Sequence, residues 1–226
     1  AVRPYLDRRR FTWVFADLRG YGRSKGQRGD FTLREAASDV VALAEAIGFA
    51  RAAVVGHSMS SLVALHLAQH HAGLFERAVL LTPPPPRGFG SDGAGLEAMR
   101  ALALGDDEAR ERALRAMWGG RLSEPWVRFK LRRWRETADP EAVAAYVAMF
   151  ARDGLPEPDA PVDVPLLAIT GEKDAEPMRH DAVKAALAPL AGRLSVVPLA
   201  ESGHYPMQEA PPLLATLVGR FLSGEG

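Results

Sequence analysis

Five short apolar runs punctuate the chain, at Phe11–Ala16, Ala52–Gly56, Arg77–Thr82, Pro165–Thr170 and Leu194–Leu199, and helical patterns lie between them. Runs of about four to eight residues, bounded by Gly and Pro, read as strands buried on both faces, and a helix between successive strands supplies the crossover that parallel pairing requires. The predicted class is α/β, with a mostly parallel sheet and helices on both faces. A length of 226 residues is enough for one such core.

The connecting helices carry their own signals. Thr32-Leu33-Arg34-Glu35 fits a capping box, Ala36, Val40, Leu43, Ala44 and Ile47 recur at helical spacing, and Gly48 supplies a stop. Met59 to about His71 reads as the next helix, and Leu213, Leu214, Leu217, Val218, Phe221 and Leu222 give the last one an apolar stripe. From Pro83 to about Val164 the alternation stops. Four prolines open this segment, Gly88–Gly95 follows, and helical patterns lie near Gly95–Leu104, Asp106–Trp118, Glu124–Thr137 and Asp139–Phe150. An all-helical insertion between two strands predicts a lid or cap over 83–164, with the core built from 1–82 and 165–226.

Composition narrows the chemistry. Lys plus Arg and Asp plus Glu number 28 each, so no net field points to nucleic acid or to an anionic membrane as partner. There is no cysteine, which excludes disulfides, thiolate metal sites and a cysteine nucleophile. No apolar run reaches the roughly 18 residues of a membrane span, and the first residues lack the pattern of a signal peptide, so a cytoplasmic setting is the default expectation. Neither a metal nor a cofactor is implied. Ser, His, Asp and Glu must carry any reaction.

Gly56-His57-Ser58-Met59-Ser60 follows one of the predicted strands and opens a predicted helix. A sharp strand-to-helix turn exposes its central serine, and positions two before and two after must be small because strand and helix pass close together. Gly56 meets that demand and Ser60 nearly does. If Ser58 is a nucleophile, the Met59 N–H, aided by the helix dipole, would be an oxyanion donor. A capping serine is the simpler account of Ser58.

An acid and a base would have to come from later strand ends. Leu166–Gly171 leads to Asp174, and Leu199–Gly203 leads to His204. Glu172, Glu176 and Glu201 compete with Asp174. His66, His70 and His71 sit on the helix after the turn, His180 begins another, and His57 points away from Ser58 in the turn.

These residues come in the order Ser58, Asp174, His204, and they are accompanied by two further matches. Asp17-Leu18-Arg19-Gly20-Tyr21-Gly22-Arg23-Ser24 is similar to a D-x-R-G-x-G-x-S loop, and Gly203-His204-Tyr205-Pro206-Met207-Gln208-Glu209-Ala210-Pro211 resembles a G-H-x-x-x-x-E-x-P ending. Together they resemble the α/β-hydrolase superfamily, in its esterase-like branch with a helical cap, from about Pro4 to Leu222. The resemblance implies Ser58 as nucleophile, His204 as general base and then acid, and Asp174 as the group that fixes the histidine tautomer. It implies a cofactor-free hydrolase of small carboxylic esters, with lactones or thioesters in range. A carbon–carbon bond hydrolase and a slow-turnover ligand-binding protein are the alternatives.

The candidates for substrate binding are Trp118, Trp126 and Trp134 of the cap, together with Tyr205. On amphipathic helices such aromatics also serve as cap core. Arg128, Lys130, Arg132, Arg133 and Arg135 make one cap helix basic, which reads as a solvated face or as a site for an acidic group. In the resembled fold another strand lies between those ending at Asp17 and Gly56, and its following loop supplies a second oxyanion donor. The sequence therefore predicts a complementing N-terminal segment or chain, of about thirty residues or more, that pairs into this slot.

Overall fold

The computed structural model describes residues 1–90, 93–118, 121–155 and 161–225, with backbone alone at 116–118. Residues 91 and 92 of the Gly88–Gly95 stretch lie outside it. The chain gathers into two compact units, one of Ala1–Phe15, Leu43–Pro86 and Pro156–Gly226, the other of Ala16–Ala42 and Arg87–Leu155.

The first unit is built on a four-stranded parallel sheet whose spatial order follows the sequence: β1 (Ala52–His57), β2 (Phe75–Leu81), β3 (Leu166–Gly171) and β4 (Leu194–Leu199). Four of the five predicted runs form these strands, with ends moved by a residue or two. Helix α2 (Met59–His70) connects β1 to β2 and packs on both, whereas α7 (His180–Leu187) connects β3 to β4. Strands buried on both faces are expected to be continuously apolar, and every residue of β3 is buried.

Val79, Leu81, Leu167, Ile169 and Leu199 form one cluster with Leu214 and Val218 of α9 (Pro211–Ser223). The predicted stripe of this last helix is the face it buries, except at Leu213, which is 51% exposed because it lies at the helix start outside this cluster. Each such aliphatic side chain contributes about 1.5–3 kcal/mol when fully removed from water.

Phe11–Ala16 differs from its prediction and forms no strand. Its Val14 and Phe15 are half exposed, at 47% and 50%, while Trp13 packs against the α9 cluster. An extended segment becomes a strand only when a neighbour satisfies its N–H and C=O groups, and no described residue pairs with this one. Likewise β1 pairs only with β2 among the described residues, and its Val55 remains 40% exposed.

The second unit holds α3 (Ala94–Leu104), α4 (Asp107–Trp118), α5 (Glu124–Thr137) and α6 (Pro140–Ala148), where the sequence predicts helices. Asp139 caps α6 by accepting the Glu141 N–H, as its place before Pro140 predicts. A small core joins Leu96 of α3 to Val147 of α6 and Ala151.

The loop 17–24 packs within this unit. Asp139 N–H donates to the Gly20 carbonyl, Tyr21 bridges to Ala138, and a Cβ at Gly20 would collide with Ala142. Buried Tyr146 stacks on Tyr21 and meets Phe31 edge-on, and its burial pushes the phenol up to about 12. The predicted capping box opens α1 (Leu33–Ala46): Glu35 N–H donates to Thr32 Oγ1, and the Glu35 carboxylate reaches back to the amides of Phe31 and Asp30. Among the described residues no helix is long and apolar enough to cross a membrane.

Candidate active site

The register pairs His57 with Leu81, Leu81 with Ile169, and Gly171 with Leu199. The carboxyl ends of the four strands therefore share one rim, and the residues just beyond them converge. Those residues include Ser58, Thr82, Asp174 and His204.

Ser58 sits at φ 52° and ψ −124°, a strained conformation for a residue with a side chain, and α2 begins at the next residue. Gly56 is required here, because a Cβ would strike the backbone of Ser60 and Ser61. Ser60 fits by turning its hydroxyl onto the elbow. Its Oγ accepts the His57 N–H and donates to the His57 carbonyl, both at 2.9 Å.

The structure brings the three predicted residues together within the first unit. His204 Nε2 lies 2.9 Å from Ser58 Oγ, and His204 Nδ1 lies 2.7 Å from Asp174 Oδ2. Asp174 and His204 are only 3% and 6% exposed. A carboxylate oxygen facing Nδ1 suits an imidazole that carries its proton on that nitrogen, with Nε2 then facing the serine hydroxyl as an acceptor.

Main-chain bonds tie the loop of Asp174 to the loop of His204. Lys173 N–H donates to the Ser202 carbonyl and Glu172 N–H to the Leu199 carbonyl, while Gly171 runs so close to Ser202 and Gly203 that a Cβ would collide. Ala175 N–H donates to Asp174 Oδ1, and Arg179 Nε to the Asp174 carbonyl. Glu209, at the end of the short helix α8 (Pro206–Glu209), accepts from the N–H groups of Gly203 and Tyr205, which flank His204 on either side.

The rival groups have other places. Glu172 accepts from Thr170 Oγ1 and the His180 N–H, and Glu201 is exposed near Lys173. The rings of His66 and His70 lie against each other on α2, and His180 pairs with Asp181. His57 has a partner that no spacing reveals, the carbonyl oxygen of His204, 2.6 Å from its Nε2. Thr82 was likewise invisible as a site residue, and its Oγ1 donates to the same carbonyl at 3.2 Å. The one hint in the sequence was that both stand at strand ends.

Tyr205, a predicted substrate contact, packs its ring 5.2 Å from the rings of both His57 and His204. Burial, with the Asp174 and Glu209 carboxylates nearby, pushes its phenol up to about 12. Trp126 and Trp134 belong to the second unit. Lys130 Nζ lies 5.6 Å from the Trp126 ring and the Arg110 guanidinium 5.0 Å from that of Trp134. The Trp118 side chain lies outside the described residues. On the basic helix, Arg133 and Arg135 pair with Glu136 and Asp107, and burial pushes the Lys130 ammonium down to about 8.

Comparison with known proteins bears on the family and the fold. The model of the alpha/beta hydrolase family matches residues 1–217. An AB hydrolase superfamily protein of Bacillus subtilis, YisY, is 26% identical in an alignment of 236 positions that covers 96% of this chain and 83% of that protein. The crystal structure of an enol-lactonase from Burkholderia xenovorans superposes with a TM-score of 0.73 at 26% identity, covering 92% of this chain and 79% of the other. An esterase from Exiguobacterium antarcticum shares the fold at a TM-score of 0.78 and 16% identity, over 92% and 80% of the two chains. With a parallel sheet that presents an elbow serine, an acid and a histidine at one rim, and a family match over nearly its whole length, the chain belongs to the alpha/beta hydrolase family.

Proposed function

We propose that this hydrolase cleaves small carboxylic esters, lactones included, through an acyl-enzyme on Ser58. The observation that carries the proposal is the continuous line from Asp174 through His204 to Ser58, with contacts of 2.7 and 2.9 Å. His204 Nε2 takes the Ser58 proton as Oγ attacks the carbonyl carbon, and the imidazolium so formed is stabilised by the buried Asp174. The same proton then passes to the departing alcohol. Water, deprotonated by His204, attacks the acyl group and returns the serine. At the start of α2 the Met59 N–H is one donor to the oxyanion, supported by the helix dipole. An enol-lactonase at 26% identity supports cyclic esters as part of the substrate class.

A fluorophosphonate probe and a panel of p-nitrophenyl esters and lactones test the proposal. Wild-type protein is expected to be labelled at Ser58 and Ser58→Ala to remain unlabelled, with ester turnover reduced about 10³-fold or more by loss of Ser58 or His204. Labelling elsewhere, or turnover slower than about one per minute across the whole panel, overturns it.

A further inference from the structure

The carbonyl oxygen of His204 is held by two side chains that the serine-hydrolase mechanism does not use. His57 Nε2 lies 2.6 Å from it, and Thr82 Oγ1 donates to it at 3.2 Å. A carbonyl only accepts, so His57 carries its proton on Nε2, whichever charge state the ring adopts. Both donors are anchored in turn. The His57 backbone bonds twice to Ser60 Oγ, and Thr82 N–H donates to the Ile169 carbonyl of β3.

Thr82 is fully buried and has φ 42°, a left-handed conformation that a β-branched residue adopts only when its surroundings impose it. His57 and Thr82 follow one another across the rim, at the ends of adjacent strands. One directly precedes the nucleophile in sequence. The carbonyl between them belongs to the residue whose imidazole must meet both Asp174 and Ser58.

We propose that His57 and Thr82 are positioning residues that hold the main-chain carbonyl of His204 and so keep its imidazole on the line between Asp174 and Ser58. This rests on the serine-hydrolase reading above. A histidine side chain reaches its partners through only two torsions, so its orientation inherits any displacement of its own backbone. Misplacing a reacting group by about 1 Å costs on the order of 10² in rate. The elbow thus supplies the nucleophile and also, one residue earlier, sets the height of the base above it. Ground-state binding of an ester does not draw on this contact. Proton transfer in the transition state does.

The test compares full-length wild type with His57→Phe, His57→Gln and Thr82→Val. Phenylalanine keeps a ring against Tyr205 and His204 but has no donor. The glutamine amide places an N–H close to the position of Nε2, and valine is isosteric with threonine without the hydroxyl. His57→Phe is expected to lower kcat about 10- to 100-fold with KM within about threefold, and His57→Gln to recover kcat to within about fivefold of wild type. Thr82→Val is expected to lower kcat about three- to tenfold, and the double variant to lose less than the product of the two, because both donors serve one acceptor. Proton NMR adds a readout independent of turnover, since the His204 Nδ1–H resonance shared with Asp174 should broaden or shift in His57→Phe and return in His57→Gln.

A His57→Phe protein with wild-type kcat and resonance overturns the proposal, and so does a His57→Gln protein as impaired as His57→Phe. If His57→Phe fails to fold, Thr82→Val decides: full kcat there overturns the proposal, and a reduced kcat at constant KM sustains it. A wild type inert to the phosphonate probe overturns the serine-hydrolase reading and this inference with it. A wild type that reacts normally while the variants match it overturns the clamp alone.

Discussion

Ser60 Oγ closes a double hydrogen bond with the main chain of His57, accepting its N–H and donating to its carbonyl. The position that the elbow ordinarily gives to a glycine here carries a side chain that staples the turn. Ser60→Gly is expected to retain ester turnover within about threefold while losing about 1 kcal/mol of stability in urea unfolding, from the lost bonds and the freer backbone. Gly56→Ser, by contrast, would drive a side chain into the backbone of Ser60 and Ser61 and should yield no soluble, active protein. A tolerated Gly56→Ser would show that the elbow does not need its close approach.

Asp174→Asn keeps the shape of the acid but replaces an acceptor with a group that also donates. The imidazole proton is then no longer directed to Nδ1, and Nε2 is less available to the serine. An expected fall in kcat of about 10²–10⁴, with circular dichroism unchanged, separates this effect from misfolding. A loss below tenfold would move the acid role to another carboxylate.

Alkaline stability should report on Tyr146 and Tyr205. Burial raises both phenols from about 10 in the unfolded chain to about 12 in the folded protein. Between these values the unfolded state has lost protons that the folded state keeps, so stability is intact below pH 10 and falls as pH rises towards 12. Tyr205→Phe is expected to remove part of that slope, on the order of 1–3 kcal/mol between pH 9 and pH 12 in urea titrations. An unchanged slope would place the phenol in contact with water.

Trp126 and Trp134 separate two roles for the second unit. If they contact substrate, Trp126→Ala and Trp134→Ala should alter the ranking of esters by acyl chain length more than they alter the melting temperature. If they serve as packing within this unit, beside Lys130 and Arg110, the melting temperature should fall by several degrees with the ranking unchanged. Melting curves and a chain-length series on the same preparations decide.

Much of this fold is legible in single residues because the signals are local. Gly56 and Ser60 mark the elbow, Thr32 and Glu35 the start of α1, and Asp139-Pro140 the start of α6, each through contacts that span a few residues. All four strands stand out as short apolar runs, and in β2 and β3 the reason is burial on both faces. The order of Ser58, Asp174 and His204, each just past a strand, marks them as candidates from the sequence alone.

Other features belong to the tertiary structure alone. Phe11–Ala16 has the composition of a strand, yet pairing requires a neighbour at hydrogen-bonding distance, and composition cannot supply one. The grouping of 16–42 with 87–155 depends on Gly20 and Tyr21 meeting Ala142 and Tyr146, more than a hundred residues later. His57 and Thr82 look like ordinary strand-end residues until the register of β1 and β2 places them on either side of one carbonyl, 122 positions or more along the chain. Patterning by period and propensity follows from each segment's own exposure to water. The partner of a polar group at a strand end is set by how distant loops pack, and only the folded chain decides it.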